Sequence, residues 1–218
     1  MLSLLSSWFI MCSISLKNIT INAGILLCPI NFLLANFITE VYGYKNSRRA
    51  IWCGFFFNIL SVFYTLFIIN LSSPLYAVHN TLFNLILVDY LKTSIMYMLS
   101  YLMTAPFNIF LLATLKLKLN GKHLKLRLLV CVMLTAFING LILHLSEYHG
   151  SIINAHFISS LFISALLTLI CLPVITFCIE KVKKVEKLDI YDQNTQFNFF
   201  KFEVKYILND NRFGQFPR

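Results

Sequence analysis

Hydrophobic positions along the chain are grouped into long stretches that contain no Asp, Glu, Lys or Arg. These charge-free stretches are residues 1–16, 18–39, 50–88, 93–115, 128–146 and 148–179. A helix needs roughly 20 mostly apolar residues to cross the hydrocarbon core of a bilayer, and at least four of the stretches are that long. The pattern therefore predicts a bundle of membrane-spanning helices.

Dividing the stretches at polar and turn-forming positions predicts about six transmembrane helices. The predicted spans are residues 2–19, 23–41, 50–71, 93–115, 128–145 and 156–179. The cluster Ser72-Ser73-Pro74 ends the third span, because proline and small polar residues favour turns. The segment 81–89 is too short to cross a bilayer and is predicted to be an interfacial or re-entrant helix.

The composition excludes an ordinary soluble domain. Charged residues make up 12% of the 218 residues and hydrophobic residues 58%, whereas soluble domains carry about 25% charged residues. The sequence predicts an all-α integral membrane protein, with one six-helix transmembrane domain over residues 1–180 and a short cytoplasmic tail over residues 181–218.

The basic residues predict the orientation of the bundle. Of the 18 Lys and Arg residues, all except Lys17 and Lys92 fall on one side of the six-span arrangement. Loops rich in Lys and Arg stay in the cytoplasm. Both termini are therefore predicted to be cytoplasmic, and the net charge of +9 is interpreted as a topology signal rather than as a nucleic-acid surface.

The motifs of soluble enzymes are absent from the sequence. It contains no phosphate-binding glycine loop, no G-x-S-x-G and no H-E-x-x-H. The absence of these motifs argues against an enzyme. The six cysteines include no C-x-x-C pair, and no spacing of histidines suggests a metal site. We therefore predict no metal and no cofactor.

Polar residues inside the spans are the candidates for function, because each is costly in a membrane unless it is satisfied. Asn36 and Glu40 lie four residues apart and share one helix face, so one interpretation is that both belong to a site inside the membrane. Alternatively, Glu40 lies at the level of the headgroups and pairs with Arg48 or Arg49. The deeper Asn108 and Asn139 either bridge helices or bind a ligand, and bridging is the commoner role.

Several of these residues carry a resemblance to a known family. The run Thr-Glu-Val-Tyr-Gly-Tyr-Lys over residues 39–45, followed by Arg48 and Arg49, is its most specific part. Supporting matches extend from Asn22-Ala23-Gly24 to Asp192 and residues 197–198. With these motifs the chain resembles the queuosine precursor transporter family, also called the vitamin uptake transporter family.

The resemblance implies a six-helix carrier in the bacterial inner membrane. Its substrates would be deazaguanine precursors of the modified tRNA base queuosine, or queuine itself. Asn36, Glu40, Asn108 and Asn139 are the hypothetical substrate-binding residues, since amides and a carboxylate suit the donor–acceptor edge of a deazaguanine. The family usually has an acidic residue where this chain has Asn36 and Asn139.

Other matched positions imply a structural role in cytoplasmic loops rather than contact with the substrate. These positions are Tyr42, Gly43, Arg48, Arg49 and Arg127.

Two further functions are compatible with the sequence. A substrate-capture subunit of similar size would require a separate module to supply energy. A structural membrane protein would bind no small molecule at all. The lipid bilayer is a partner in every case. The transporter and the capture subunit would also bind a small deazapurine molecule.

Overall fold

The computed structural model describes residues 1–16, 19–71, 79–147, 155–187 and 190. Within these ranges the chain forms five helices and one short antiparallel hairpin. The elements in chain order are α1 (Leu2–Phe9), β1 (Ser13–Leu16), β2 (Ile19–Asn22), α2 (Ala23–Ile69), α3 (His79–Lys118), α4 (Leu124–Glu147) and α5 (Ala155–Glu186). Four helices are long and apolar enough to cross a membrane, which confirms the α-helical membrane class: Ala23–Ile69, Leu82–Lys118, Leu124–Leu145 and Phe157–Glu186.

Helix α2 folds back on itself at Gly43. A straight helix of 47 residues would be about 70 Å long, more than twice the hydrocarbon thickness. Gly43 instead has φ 82° and ψ 169°, and Ser47 Oγ donates a hydrogen bond of 3.1 Å to Ala35 O. Residues twelve apart in a straight helix lie about 18 Å apart along its axis, so the chain reverses direction here.

The reversal divides α2 into arm 1, residues 23–42, and arm 2, residues 44–69. Each arm is at least about 30 Å long and can cross a bilayer separately. The predicted second and third spans, 23–41 and 50–71, coincide with these arms. The described helices therefore provide five membrane crossings.

The predicted first span over residues 2–19 is wrong. Helix α1 has 8 residues and is about 12 Å long, too short to cross. It is followed by the hairpin, in which Ser13 pairs with Asn22 and Leu16 with Ile19. The β-branched residues Ile14, Ile19 and Ile21 favour this extended backbone over a helix, a preference that apolar length alone does not reveal.

Helix α1 packs into the bundle through small polar residues. Ser3, Ser6 and Ser7 are buried, whereas Phe9 is about half exposed and Trp8 is partly covered by Tyr90 of α3. Close packing by small residues is the usual way for helices to associate in lipid. Ser6 Oγ donates a hydrogen bond of 2.8 Å to Gly24 O, which joins α1 to the beginning of arm 1.

The two ends of the bundle are defined by arm 1. The Gly43 end contains Gly43, the end of α3, the beginning of α4 and the end of α5; the Asn22 end is the opposite one. Tyr42 Oη donates to Glu186 Oε1 at 2.9 Å, whereas α1 contacts Gly24. The N-terminal segment and the end of α5 therefore lie toward opposite ends, which disagrees with the prediction that both termini share one side.

The remaining predicted spans lie within longer helices. The predicted interfacial segment 81–89 and the fourth span 93–115 form one helix, α3, because no proline or glycine separates them. From Lys92 to Lys116, α3 is about 36 Å long, enough to place both lysines near the two membrane surfaces. Helix α5 continues through the predicted domain boundary at residue 180 to Glu186, and residues 191–218 lie outside the described ranges.

Replacing Gly24 by alanine is expected to loosen α1 from the bundle. A Cβ at Gly24 would clash with Ser6 O and lie 2.7 Å from Ile10 N. Both are main-chain atoms, which can move aside only if the backbone of the N-terminal segment shifts. We expect a loss of about 1–3 kcal/mol in unfolding free energy, measured as a lower thermal midpoint in detergent. Gly54→Ala is the control, because its Cβ would meet Tyr101 Oη at an ordinary 3.6 Å; equal midpoints for the two variants would contradict this packing.

Candidate functional site

Glu40 lies at the Gly43 end of arm 1 and is completely buried. Its Oε1 atom is the common acceptor for basic groups from three other helices. Lys183 Nζ of α5 lies 2.7 Å away, Arg127 Nη2 of α4 3.2 Å away and Lys116 Nζ of α3 3.6 Å away. One carboxylate oxygen therefore joins arm 1 to α3, α4 and α5. We call these four residues the Glu40 cluster.

Further hydrogen bonds hold the Glu40 cluster in place. Lys116 Nζ donates to the main-chain oxygen of Glu40 at 2.9 Å and to that of Ile190 at 2.8 Å. Arg127 Nη2 also donates to Gly121 O at 3.2 Å. The side chains of Arg127 and Lys116 are 1% and 4% exposed. Charges this far from water depend on one another for compensation, so the cluster holds this end of the bundle closed.

The surroundings of Glu40 differ from the surface alternative considered from the sequence. Arg48 and Arg49 do not share its carboxylate in the ion pairs of the described residues; the Arg48 guanidinium lies over the Tyr44 ring, 5.7 Å from its centre. Arg127, assigned from the sequence to a cytoplasmic loop, lies in the first turn of α4 and is buried.

Asn108 and Asn139 bridge helices deeper in the bundle. Asn108 Nδ2 donates to Phe32 O of arm 1 at 3.3 Å, and its Oδ1 accepts from Thr135 of α4 at 3.2 Å. Asn139 Oδ1 accepts from Ser100 of α3 at 2.7 Å, and its Nδ2 lies 3.3 Å from Cys28 Sγ of arm 1. Both amides use donor and acceptor in bridging, the commoner of the two roles considered.

Asn36 differs from the other candidates. Its side chain is completely buried, yet neither its Oδ1 nor its Nδ2 has a hydrogen-bond partner among the residues that the structure describes. Within the same ranges, Glu40 Oε2, one helical turn away, and Arg127 Nε and Nη1 are likewise buried without partners. Buried polar atoms are satisfied in the large majority of cases, so this concentration of donors and acceptors needs an explanation.

A polar stripe runs along each of four segments at intervals of four or eight residues. Because all its members are buried, it faces the protein interior. The members are Cys28, Asn36 and Glu40 on arm 1; Ser100, Thr104, Asn108 and Lys116 on α3; Arg127, Cys131, Thr135 and Asn139 on α4; and Ser160, Ser164, Thr168 and Thr176 on α5. Our sequence analysis missed the α5 members, although their spacing could have revealed them.

A cavity lies at the Asn22 end, between arm 1, α4 and α5. Its volume is about 50 Å³, enough for a few water molecules. Its polar wall includes Asn139, Ser160 and Ser164, and its aromatic wall is formed by Phe157 and His144, whose ring centres lie 5.5 Å apart. The cavity therefore combines hydrogen-bonding and aromatic groups at the Asn22 end.

Among the residues that the structure describes, no group of three or more His, Cys, Asp or Glu side chains is arranged to hold a metal ion. The buried stripe offers hydrogen bonding through amides, hydroxyls and thiols, together with the carboxylate of Glu40 and the cations of Lys116 and Arg127.

Comparison with known proteins gives one match. The sequence model of a family described as "Putative vitamin uptake transporter" matches residues 22–178, which is more than half of the chain. The matched segment contains Asn36, Glu40, Lys116 and Arg127 but ends before Lys183. No curated protein and no solved structure matches the chain.

Proposed function

Since the chain belongs to the vitamin uptake transporter family, we propose that it carries deazaguanine precursors of queuosine, or queuine, across the bacterial inner membrane. Membership of this family indicates a multi-pass membrane protein that takes up a small molecule. The resemblance of residues 39–45 and the arginine pair to queuosine precursor transporters supports the narrower substrate. The imported base would feed tRNA modification.

The observation that carries the proposal is the unpartnered state of Asn36. Leaving a buried donor or acceptor without a hydrogen bond costs about 1–3 kcal/mol. Asn36 Oδ1, Asn36 Nδ2 and Glu40 Oε2 are three such atoms on one face of arm 1. A substrate with matching groups that lies beside these atoms would form the hydrogen bonds that the fold itself does not supply. Binding of such a substrate is therefore favoured.

The chemistry of a deazaguanine suits these atoms. Its pairing edge carries N–H donors beside a carbonyl acceptor. The Asn36 amide can both donate and accept, Glu40 Oε2 can accept, and the free N–H groups of Arg127 can donate to the carbonyl. Asn36 and Glu40 lie about 6 Å apart along the helix axis, a spacing that a flat bicyclic base can span.

Asn36→Leu is expected to reduce uptake without destabilising the fold. Leucine removes two polar atoms that bond nothing in the described part of the chain, so the thermal midpoint should stay constant or rise. Lost substrate hydrogen bonds worth on the order of 1–3 kcal/mol correspond to roughly fivefold to 150-fold slower uptake. Asn70→Leu, which replaces an exposed amide at the C-cap of α2, is the control and should keep full uptake.

The assay is complementation of a bacterium that cannot make queuosine precursors. Cells expressing the chain receive one candidate base at a time, and queuosine in tRNA is measured. Unchanged modification with Asn36→Leu would contradict the assigned site. No modification with any base would contradict the transport function. Uptake by the purified chain alone in liposomes would exclude a capture subunit that requires a second module, and ligand-induced thermal stabilisation would exclude a purely structural protein.

A further inference from the structure

Carboxylates are scarce along the buried interior. Among the buried residues that the structure describes, Glu40 is the single acidic one. The remaining members of the polar stripe on the way to the Asn22 end are amides, hydroxyls and thiols, which supply dipoles rather than negative charge. At Asn36 and Asn139 in particular, the interior presents neutral amides.

The one carboxylate is already engaged with basic groups. Glu40 Oε1 is shared by the cations of Lys116, Arg127 and Lys183 at 2.7–3.6 Å. A second cation arriving at Glu40 would lie within a few ångströms of these three positive groups. Repulsion between like charges is strong at such distances where water is excluded, so Glu40 is a poor counter-ion for a charged substrate.

We propose that the chain carries the neutral form of the planar base and discriminates against a substrate with an alkylammonium group. The inference rests on the proposed function and names the class of substrate for the same site. A neutral base exchanges its hydration for hydrogen bonds with Asn36 and with the remaining polar atoms of Glu40 and Arg127. An ammonium group would be buried without a carboxylate of its own, the most costly case of polar burial.

Two precursors with the same ring make a direct test. The cyano-substituted deazaguanine is neutral, whereas the aminomethyl-substituted one carries an alkylamine that is protonated at pH 7, as lysine is. Uptake of each is measured in liposomes containing the purified chain, with both at equal concentration. We expect the neutral compound to enter at least about tenfold faster, the factor that corresponds to a modest Coulombic barrier.

Adding a carboxylate to the path should change this preference. Asn36→Asp introduces a negative charge where the amide bonds none of the described residues, and is expected to raise the relative uptake of the aminomethyl compound at least about tenfold. Asn70→Asp adds the same charge at an exposed position and should leave the ratio of the two rates unchanged. A shift with Asn36→Asp alone supports the inference.

The outcomes separate this inference from the function on which it rests. If the aminomethyl compound enters the unmodified protein as fast as the cyano compound, the inference is overturned and the proposed function stands. If Asn70→Asp changes the ratio as much as Asn36→Asp does, a general surface effect replaces the inference. If neither compound enters by any route through the protein, the proposed function fails and the inference with it.

Discussion

Glu40→Gln is expected to lower the free energy of unfolding by about 3–5 kcal/mol, the usual loss when one member of a buried ion cluster is removed. The substitution preserves shape and leaves an acceptor oxygen, so packing changes little. It removes the negative charge that Lys116, Arg127 and Lys183 share. Three cations then remain close together with weaker compensation, and α3, α4 and α5 lose their common attachment to arm 1.

The measurement is the thermal midpoint of the purified protein in detergent. Glu186→Gln is the matched control, because that exposed carboxylate accepts a surface hydrogen bond from Tyr42, and its midpoint should stay near that of the unmodified protein. Adding Lys183→Met to Glu40→Gln should recover part of the loss, since one excess cation is removed. Strictly additive effects, or an unchanged midpoint in Glu40→Gln, would show that the cluster does not hold this end together.

Gly43→Ala is expected to destabilise the reversal between the two arms by about 1–3 kcal/mol. At φ 82° and ψ 169° the backbone lies in a region that is essentially restricted to glycine. Asparagine, which tolerates left-handed helical dihedrals, should not rescue the position, because ψ here is far from the left-handed helical value of about 47°. The strain acts where Thr39 and Ser47 form their 2.8 Å hydrogen bond.

A helix-interior glycine supplies the comparison for Gly43. Gly54 lies in arm 2, where a Cβ meets only ordinary contacts, and Gly54→Ala should be neutral or stabilising by up to about 1 kcal/mol. Unfolding midpoints of Gly43→Ala, Gly43→Asn and Gly54→Ala measured together separate dihedral strain from the general effect of adding a methyl group. A midpoint for Gly43→Asn equal to that of the unmodified protein would contradict the strained geometry.

Most of the crossings could be predicted because lipid imposes a minimum apolar length on each helix. Residues 23–41, 93–115, 128–145 and 156–179 lie within helices for this reason, and residues 50–71 overlap arm 2, which ends at residue 69. The same criterion failed for residues 2–19. There the backbone N–H and C=O groups form hydrogen bonds within a short helix and a hairpin instead of within one spanning helix. Apolar length cannot distinguish these structures; the β-branched residues of 14–21 and the three serines of α1 carry that information.

The candidate site was predictable in its residues but not in its pairings. Asn36 and Glu40 stand out as polar positions within apolar sequence, and their shared face follows from helical spacing. The partners of Glu40 lie 76, 87 and 143 residues away in the chain, so no local pattern links them to it. Arg48 and Arg49 were one alternative from the sequence, because closeness along the chain is the only proximity that a sequence shows directly.

The packing of α1 also equips the protein with an optical reporter. Trp8 stacks on Tyr90 of α3 with ring centres 4.0 Å apart and an interplanar angle of 16°. The chain contains only two tryptophans, Trp8 and Trp52, so a Trp52→Phe variant has a single tryptophan, at the contact between α1 and α3. Its emission would register separation of these helices during uptake without any attached dye.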